Sequence, residues 1–226
     1  MRRHLVLFLR APALGSGKRR LAAEIGDIAA LRFQRLMLAR LMRRLGRDRR
    51  WRLRVALTPD RARLPGISTV KQGRGELGVR MERALAACPP GPKILVGADI
   101  PALSASHIAE AFRLLGRHDV VFGPAEDGGY WLVGTRYRPP VFGKVRWSSP
   151  HALADTLANL PKRISVGFAA TLSDVDEPES YRRYFSSSRG ISSTKLQGLK
   201  RLSSWWTRMP SQPSRQAPGE PGSANR

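Results

Sequence analysis

Pro124-Ala-Glu-Asp-Gly-Gly-Tyr-Trp-Leu-Val-Gly134 is the stretch on which the reading of this chain turns, together with Gly97-Ala-Asp-Ile-Pro101 upstream of it. Each follows or contains an apolar run that stops at a carboxylate: Ile94-Leu-Val-Gly-Ala before Asp99, and Val120-Val-Phe-Gly-Pro-Ala before Glu126 and Asp127. Short runs of β-branched and aromatic residues bounded by Gly and Pro read as buried strands. In an open α/β sheet, ligands bind where such strands release their carboxyl ends, so both acidic clusters are expected to face one crevice. A single Asp after a strand is weak evidence, because Asp also caps helices and turns. Two such strand ends, the second followed by Gly128-Gly129, are stronger, since paired glycines let a backbone approach a ligand closely.

Working outward, His4 to Arg10 reads as a first buried strand, and Ala11-Pro-Ala-Leu-Gly-Ser-Gly-Lys-Arg-Arg-Leu21 as a glycine-containing loop running into a helix. Such a turn offers free backbone N–H groups at a partially positive helix start, and Lys18, Arg19 and Arg20 add formal charge, which suits a di- or triphosphate. The spacing is neither a Walker A loop nor a dinucleotide fingerprint, and a basic surface turn would look the same. Residues 28 to 46 carry apolar positions at helical spacing and predict a long helix covering the sheet. Strands follow at 52–58 and 69–72, a helix over 75–87, a strand at 93–98, and a helix over 104–115 with Ser104 as its N-cap. Further strands fall at 119–124 and 130–134, the latter a candidate antiparallel one. Trp147-Ser-Ser-Pro150 is expected to cap a helix reaching about residue 160, and residues 163–166 to form a last strand. Strands alternating with helices of 10–15 residues imply an α/β sandwich around a mostly parallel sheet.

Composition bounds the rest. At 226 residues with 42% hydrophobic content, the chain can bury one sizeable core. One cysteine, Cys88, excludes an internal disulfide, and the expected compartment is the cytoplasm. No apolar run reaches the ~20 residues of a membrane span, and the N-terminus is recharged too soon for a leader. The net charge is +23, with 33 Lys and Arg against 16 acids in residues 1–186 and 7 against 1 in residues 187–226. Such a surface favours anionic partners. Nucleic acid is not expected among them, since no motif of recognised type is present and aromatic residues do not interleave the cations.

The composition changes at Ser186, so the expected division is a domain over 1–186 and a basic, largely disordered tail over 187–226. Within the tail, Leu196, Leu199, Leu202, Trp206 and Met209 share one helical face, with Lys195, Lys200, Arg201 and Arg208 elsewhere. That profile fits a helix lying on an anionic membrane surface, peripheral to its inner face, or one docked on protein.

Several motifs occur in the order seen in a known bacterial family: Pro12…Gly15…Lys18-Arg19-Arg20-Leu21, Gln72…Gly75-Glu-Leu-Gly78…Arg80-Met81, Gly97-Ala-Asp-Ile-Pro-Ala-Leu103, the 124–134 stretch, Trp147-Ser-Ser149 and Asp174-Val-Asp-Glu-Pro-Glu179. Over about residues 4–185 the chain resembles GT-A-fold transferases often labelled glycosyltransferases, some named for arsenosugar biosynthesis or for radical-SAM and selenoprotein-associated clusters. It is more distantly similar to molybdenum-cofactor and phospholactate nucleotidylyltransferases. The resemblance implies a three-layer, Rossmann-like GT-A sandwich and an activated nucleotide donor. Against the family pattern, Leu14, Gly17, Arg19, Ile100 and Glu177 stand where proline, valine, threonine, cysteine and threonine are usual. The changes at Gly17 and Arg19 make the phosphate loop looser and more cationic.

Negative charge that develops on phosphate oxygens is commonly stabilised by a divalent cation held by carboxylates. Asp99 is the first candidate ligand, and the resemblance implies Asp176 as its partner with Asp174 behind it; helix capping before Pro178 explains the latter two equally well. Oxygen-only donors suit Mg²⁺ or Mn²⁺. Pro12, Gly15, Lys18 and Arg20 are the candidate nucleotide- and phosphate-binding residues. Asp127, or alternatively Glu126, is the candidate general base. Gly128, Gly129, Tyr130, Trp147 and Ser148 are the candidate acceptor contacts. The expectation is therefore a metal-assisted transferase taking a nucleotide-activated donor and a small acceptor, with sugar transfer ahead of nucleotidyl transfer. A non-catalytic basic adaptor for membrane or nucleic acid is the reading outside enzymes.

Overall fold

A computed structural model describes residues 1–14, 19–64, 67–100, 102–137 and 142–172. The expected tail, its helix at 195–209, and Gly15, Lys18, Asp174 and Asp176 lie outside the described residues, as do the side chains of Arg19 and Arg20. In chain order the elements are β1 (His4–Arg10), α1 (Arg19–Ile25), α2 (Asp27–Gly46), β2 (Arg52–Thr58), β3 (Thr69–Lys71), α3 (Leu77–Ala86), β4 (Lys93–Gly97), α4 (Ala105–Leu114), β5 (Val120–Pro124), β6 (Tyr130–Thr135), α5 (Ala152–Ala158) and β7 (Val166–Phe168).

The strands join in the order β3-β2-β1-β4-β6-β5-β7. All pairs are parallel except those of β6 with β4 and with β5, so the sheet is mostly parallel with one inserted antiparallel strand. Strand alternation divides the core into two faces. Leu5, Leu7 and Leu9 of β1 and Ile94 and Val96 of β4 pack with Leu38, Leu41 and Leu45 of α2 and Ile108 and Phe112 of α4. Val6, Leu95, Phe122 and Val133 point the other way, against Met81 and Leu85 of α3 and Leu153 and Leu157 of α5. Helices therefore cover both faces, the three-layer α/β arrangement expected from the alternation. Central strands buried on both sides read as continuous apolar runs for this reason.

Gly26, at φ +81°, separates the short α1 from α2, and Leu21 packs on Ala30, Phe33 and Met37. Ser104 accepts a hydrogen bond from the His107 backbone N–H while its own N–H reaches His107 Nδ1, so it caps α4 as expected. The helix after residue 147 starts differently from expectation. His151 is its N-cap residue, with no side-chain cap. Ser148 sits at φ +57°, and Ser149 Oγ bonds the Arg146 carbonyl at 2.6 Å and receives the His151 N–H at 3.3 Å. Ser149 thus stabilises a turn before α5, and neither serine is the helix N-cap. Cys88, just past α3, is buried, and burial pushes its thiol pKa up, which fits packing rather than reactivity.

Candidate functional site

The β4 and β5 carboxyl ends lie at the same edge of the sheet, separated by the antiparallel β6. Beyond β4 the chain leaves Gly97 and reaches Asp99; beyond β5 it turns through residues 125–129 and returns as β6. Asp99 and Asp127 line one cavity of about 240 Å³, shared with Tyr130, Trp131, Trp147 and Ser148. Two carboxylates from different strand ends thus meet in one space, and both side chains are exposed to it rather than sealed in the core.

The 125–129 turn is fixed by its own backbone. Gly128 N–H donates to the Ala125 carbonyl at 3.1 Å, and Ala125 N–H to the Gly129 carbonyl at 3.0 Å. Asp127 Oδ1 accepts from Gly129 N–H at 2.9 Å, an Asx-type closure that orients the carboxylate. Gly128 has φ +83°, and a Cβ there would come within 2.2 Å of the Pro150 carbonyl oxygen. No side chain fits, because the turn lies against the chain entering α5; Leu153 N–H donates to the Gly128 carbonyl at 3.1 Å. Gly128 is therefore the hinge of the turn and does not itself line the cavity, whereas Gly129 does. Glu126 is exposed and is not among the residues lining this cavity.

Aromatic rings form the opposite wall. Trp147 meets Tyr130 edge-on at 6.5 Å between centroids and Phe142 at 6.1 Å, and Tyr130 meets Phe122 at 5.2 Å. Burial pushes the Tyr130 hydroxyl well above the usual phenol range, so it stays neutral. The loop bearing Trp147 is tied to α5 by Arg146, whose guanidinium grips Asp155 at 2.8 and 2.9 Å while its N–H reaches the same carboxylate. That guanidinium holds Asp155 below the usual carboxylate range. Gly78 of α3 admits the wall, since a Cβ there would meet Phe142 Cβ at 2.5 Å and the Trp147 ring at 2.8 Å.

Sequence reading passed over two contributors. Trp131, within the quoted stretch but unassigned, lies across Gly123 where a Cβ would meet its indole at 2.4 Å, and it donates Nε1–H to the Ala170 carbonyl at 3.0 Å. Gln72 of the second motif is wholly buried; its amide donates to the Leu9 and Ala56 carbonyls at 2.8 and 2.7 Å and its oxygen accepts from Arg80. Arg80 also lies over the Phe8 ring at 5.6 Å. Gln72 thus ties the ends of β1 and β2 together. Pro12 is buried just after β1, and Arg20 lies within α1.

For a divalent cation, the described residues offer Asp99 and Asp127 in one cavity and no cluster of three or more His, Cys, Asp or Glu. With Asp127 read as the base, Asp99 is the candidate ligand among the described residues, and an ion that keeps waters and takes its other ligands from phosphate oxygens, as Mg²⁺ commonly does, is bound through few carboxylates. The last described residue, Leu172, donates to the Pro124 carbonyl at 3.1 Å and bridges to Ala125, two positions before Asp127.

The fold and strand-end site define a nucleotide-diphospho-sugar-transferase and cytidylyltransferase type of Rossmann-like architecture. A solved structure of a candidate nucleotide-diphospho-sugar transferase from Desulfovibrio desulfuricans G20 superposes with TM-score 0.76 at 27% identity, covering 91% of this chain and 99% of that one. A CMP:2-keto-3-deoxy-manno-octonic acid synthetase complexed with CTP shares the fold at TM-score 0.53 and 11% identity over 84% and 100% of the two chains. Rv0371C of Mycobacterium tuberculosis H37Rv, solved in complex with manganese, shares it at 0.50 and 16% over 81% and 97%. Over residues 41–149 the chain carries the signature of the family described as Uncharacterized protein conserved in bacteria (DUF2064). No curated protein matches the chain. It is a transferase-type nucleotide fold, and no helix among its described residues is long and apolar enough to cross a membrane.

Proposed function

We propose that this chain transfers a glycosyl group from a nucleotide-activated donor to a small acceptor, with Mg²⁺ or Mn²⁺ bound at Asp99. The observation that carries the reading is the convergence of Asp99 and Asp127 on one aromatic-walled cavity at the carboxyl end of the sheet. The likeness in fold and length to the Desulfovibrio protein, described as a candidate nucleotide-diphospho-sugar transferase, supports the donor class.

In this reading Asp99 would hold the cation, which when bound would supply charge stabilisation for the departing nucleoside diphosphate. Asp176, with Asp174 as the weaker candidate, would complete the oxygen donors, as the family resemblance implies. Pro12, Gly15, Lys18 and Arg20 are the residues proposed for the phosphates, on the ground of their order in the sequence and their charge. Asp127, oriented by the Gly129 N–H, takes the acceptor hydroxyl proton, and Glu126 serves as a solvent-side carboxylate. Tyr130 and Trp147 present apolar faces suited to one side of a sugar-like or similarly flat acceptor, and Ser148 and Gly129 border it. The chain is read as a cytoplasmic enzyme, and its basic tail beyond residue 186 as a segment for an anionic membrane surface or for docking on protein.

Nucleotidyl transfer is the second reading, favoured by the fold shared with the CTP-bound synthetase. The two differ in product. The chain is incubated with a panel of nucleoside triphosphates and nucleotide sugars, with Mn²⁺, Mg²⁺ or chelator, and the released nucleotide is resolved by chromatography. Nucleoside diphosphate from a nucleotide sugar supports glycosyl transfer; pyrophosphate from a triphosphate supports the alternative. Release of neither, with no metal-dependent rise in melting temperature for any donor, rejects both and leaves the adaptor reading.

A further inference from the structure

The opposite edge of the sheet carries a second, chemically distinct feature. There β1, β2 and β4 begin side by side, with His4 in register with Arg52 on one side and Lys93 on the other. A cavity of about 430 Å³ opens at this edge, lined by Arg2, His4, Arg52, Arg54 and Ser68 with Pro89 and Pro90. Among the described residues no carboxylate lines it. A neighbouring cavity of about 870 Å³ shares Arg2, Arg52 and Ser68 and adds Arg3, Arg49 and Arg50. Its one lining carboxylate, Asp48, is already gripped by Arg50 at 2.6 and 3.0 Å.

His4 makes the smaller cavity more than a basic surface. It is 3% exposed, and neither ring nitrogen has a hydrogen-bond partner. Burial first, and then Arg54 and Lys93, push its pKa down, against the neighbouring Pro90 carbonyl, which favours the charged form. Arg54 Nε is likewise buried without a partner, although its terminal nitrogen donates to Ser68 Oγ at 3.2 Å. The His4 imidazole and the Arg54 guanidinium edge, left unmatched beside Arg2 and Arg52, are unfavourable unless something anionic satisfies them. A tetrahedral oxyanion does so, because its oxygens accept from several donors at once and Arg recognises phosphate through its planar fork.

We propose that this cavity binds a phosphate-bearing anion, a phosphate ester or short polyphosphate, held by Arg2, Arg52 and Arg54 with His4 as the buried donor. The site is separate from Asp99 and Asp127 and does not depend on the function proposed for them. The shared chemistry is the phosphate group, whose source is either a soluble ester or an anionic lipid headgroup.

The chain has four histidines, so the ring Cε1–H signals of a ¹³C-histidine-labelled sample resolve His4 from His107, His118 and His151 once His4→Gln assigns it. Sodium tripolyphosphate is titrated at constant ionic strength against the full chain, in the wild type and in an Asp99→Asn/Asp127→Asn background that removes the carboxylates of the other candidate site. A parallel arm uses phosphatidylglycerol–phosphatidylcholine vesicles, with pure phosphatidylcholine as reference. The expected result is a shift of the His4 signal towards its protonated position and a rise in its titration midpoint in both backgrounds. Arg2→Gln/Arg52→Gln, at two exposed positions, is expected to weaken the response at least tenfold. A response to tripolyphosphate supports a soluble ligand, and a response to phosphatidylglycerol vesicles alone supports a lipid headgroup. A His4 signal unmoved by both, or one that moves equally in Arg2→Gln/Arg52→Gln, overturns the proposal.

Discussion

Asp127 does two things with one carboxylate: Oδ1 closes its own turn on the Gly129 N–H, and the group borders the cavity that Asp99 also faces. Asn keeps an acceptor for that N–H and removes the charge, whereas Ala removes both. Asp127→Asn is therefore expected to melt close to wild type, and Asp127→Ala to lose about 1 kcal/mol of stability by denaturant titration. Both should lower kcat by about 10²–10⁴, the usual contribution of a positioned base. Full turnover in Asp127→Asn would remove the base role. Next to it, Gly128→Ala must place a Cβ against the Pro150 carbonyl at a positive φ, so a loss of roughly 2 kcal/mol or more is expected, read as a fall in denaturation midpoint. The acidic pair was legible in sequence because each acid ends an apolar run. The division of labour between Gly128 and Gly129 was not, since it depends on Pro150, more than twenty residues away in sequence, arriving beneath the turn. The helix start expected at 147–150 was misplaced for a related reason: Ser, Ser, Pro is a helix-start signal, but the local turn took Ser149 and moved the N-cap to His151.

At the scale of elements, the aromatic wall depends on how closely α3 approaches the loop before α5. Gly78 lies in α3, where Ala would ordinarily favour the helix by up to about 1 kcal/mol. Here the added Cβ would collide with Phe142 and Trp147, so packing decides the sign and the wall must move. Gly78→Ala is expected to raise the acceptor KM several-fold with a smaller change in kcat, while Asp127→Asn does the reverse; steady-state kinetics on both variants separate wall from base. An unchanged KM in Gly78→Ala would place the acceptor elsewhere. Most elements were readable from periodicity: β1 and β2 fall where their apolar runs predict, and the tight Gly-Gly turn correctly makes β6 antiparallel. The last strand was placed at 163–166 and forms at 166–168, because its short run carries little pattern and pairing with β5 at Val120–Phe122 sets its position. Gln72 was quoted within a motif without a physical role; no local pattern says that a buried amide will bridge the carbonyls of two strands distant in sequence.

For the molecule as a whole, a net charge of +23 means that each additional proton is taken up against self-repulsion, and the sheet's two edges separate the consequences. The carboxyl edge gathers the acids of the candidate active site, while the amino edge gathers unmatched arginines around His4. The sequence showed the excess charge but not this partition, which exists only once the strands are in register. A stability effect follows from His4. Its folded-state pKa lies below its ordinary value of 6.5, because burial and the neighbouring cations disfavour the imidazolium. In the unfolded chain the ring protonates near that ordinary value, so below it the unfolded state binds more protons than the folded state, and stability falls as pH is lowered. Above about pH 6.5 both states carry a neutral ring and the contribution is flat. Guanidinium unfolding in phosphate-free buffer at pH 7.5 and 5.5 should show a midpoint that drops with pH in the wild type and drops less in His4→Phe, which carries no titrating ring. Comparing slopes rather than absolute midpoints removes the packing change that Phe itself introduces and cancels the titration of every other group. Equal slopes would mean that the ring protonates as readily in the fold as outside it, and that burial beside Arg54 and Lys93 does not set its charge.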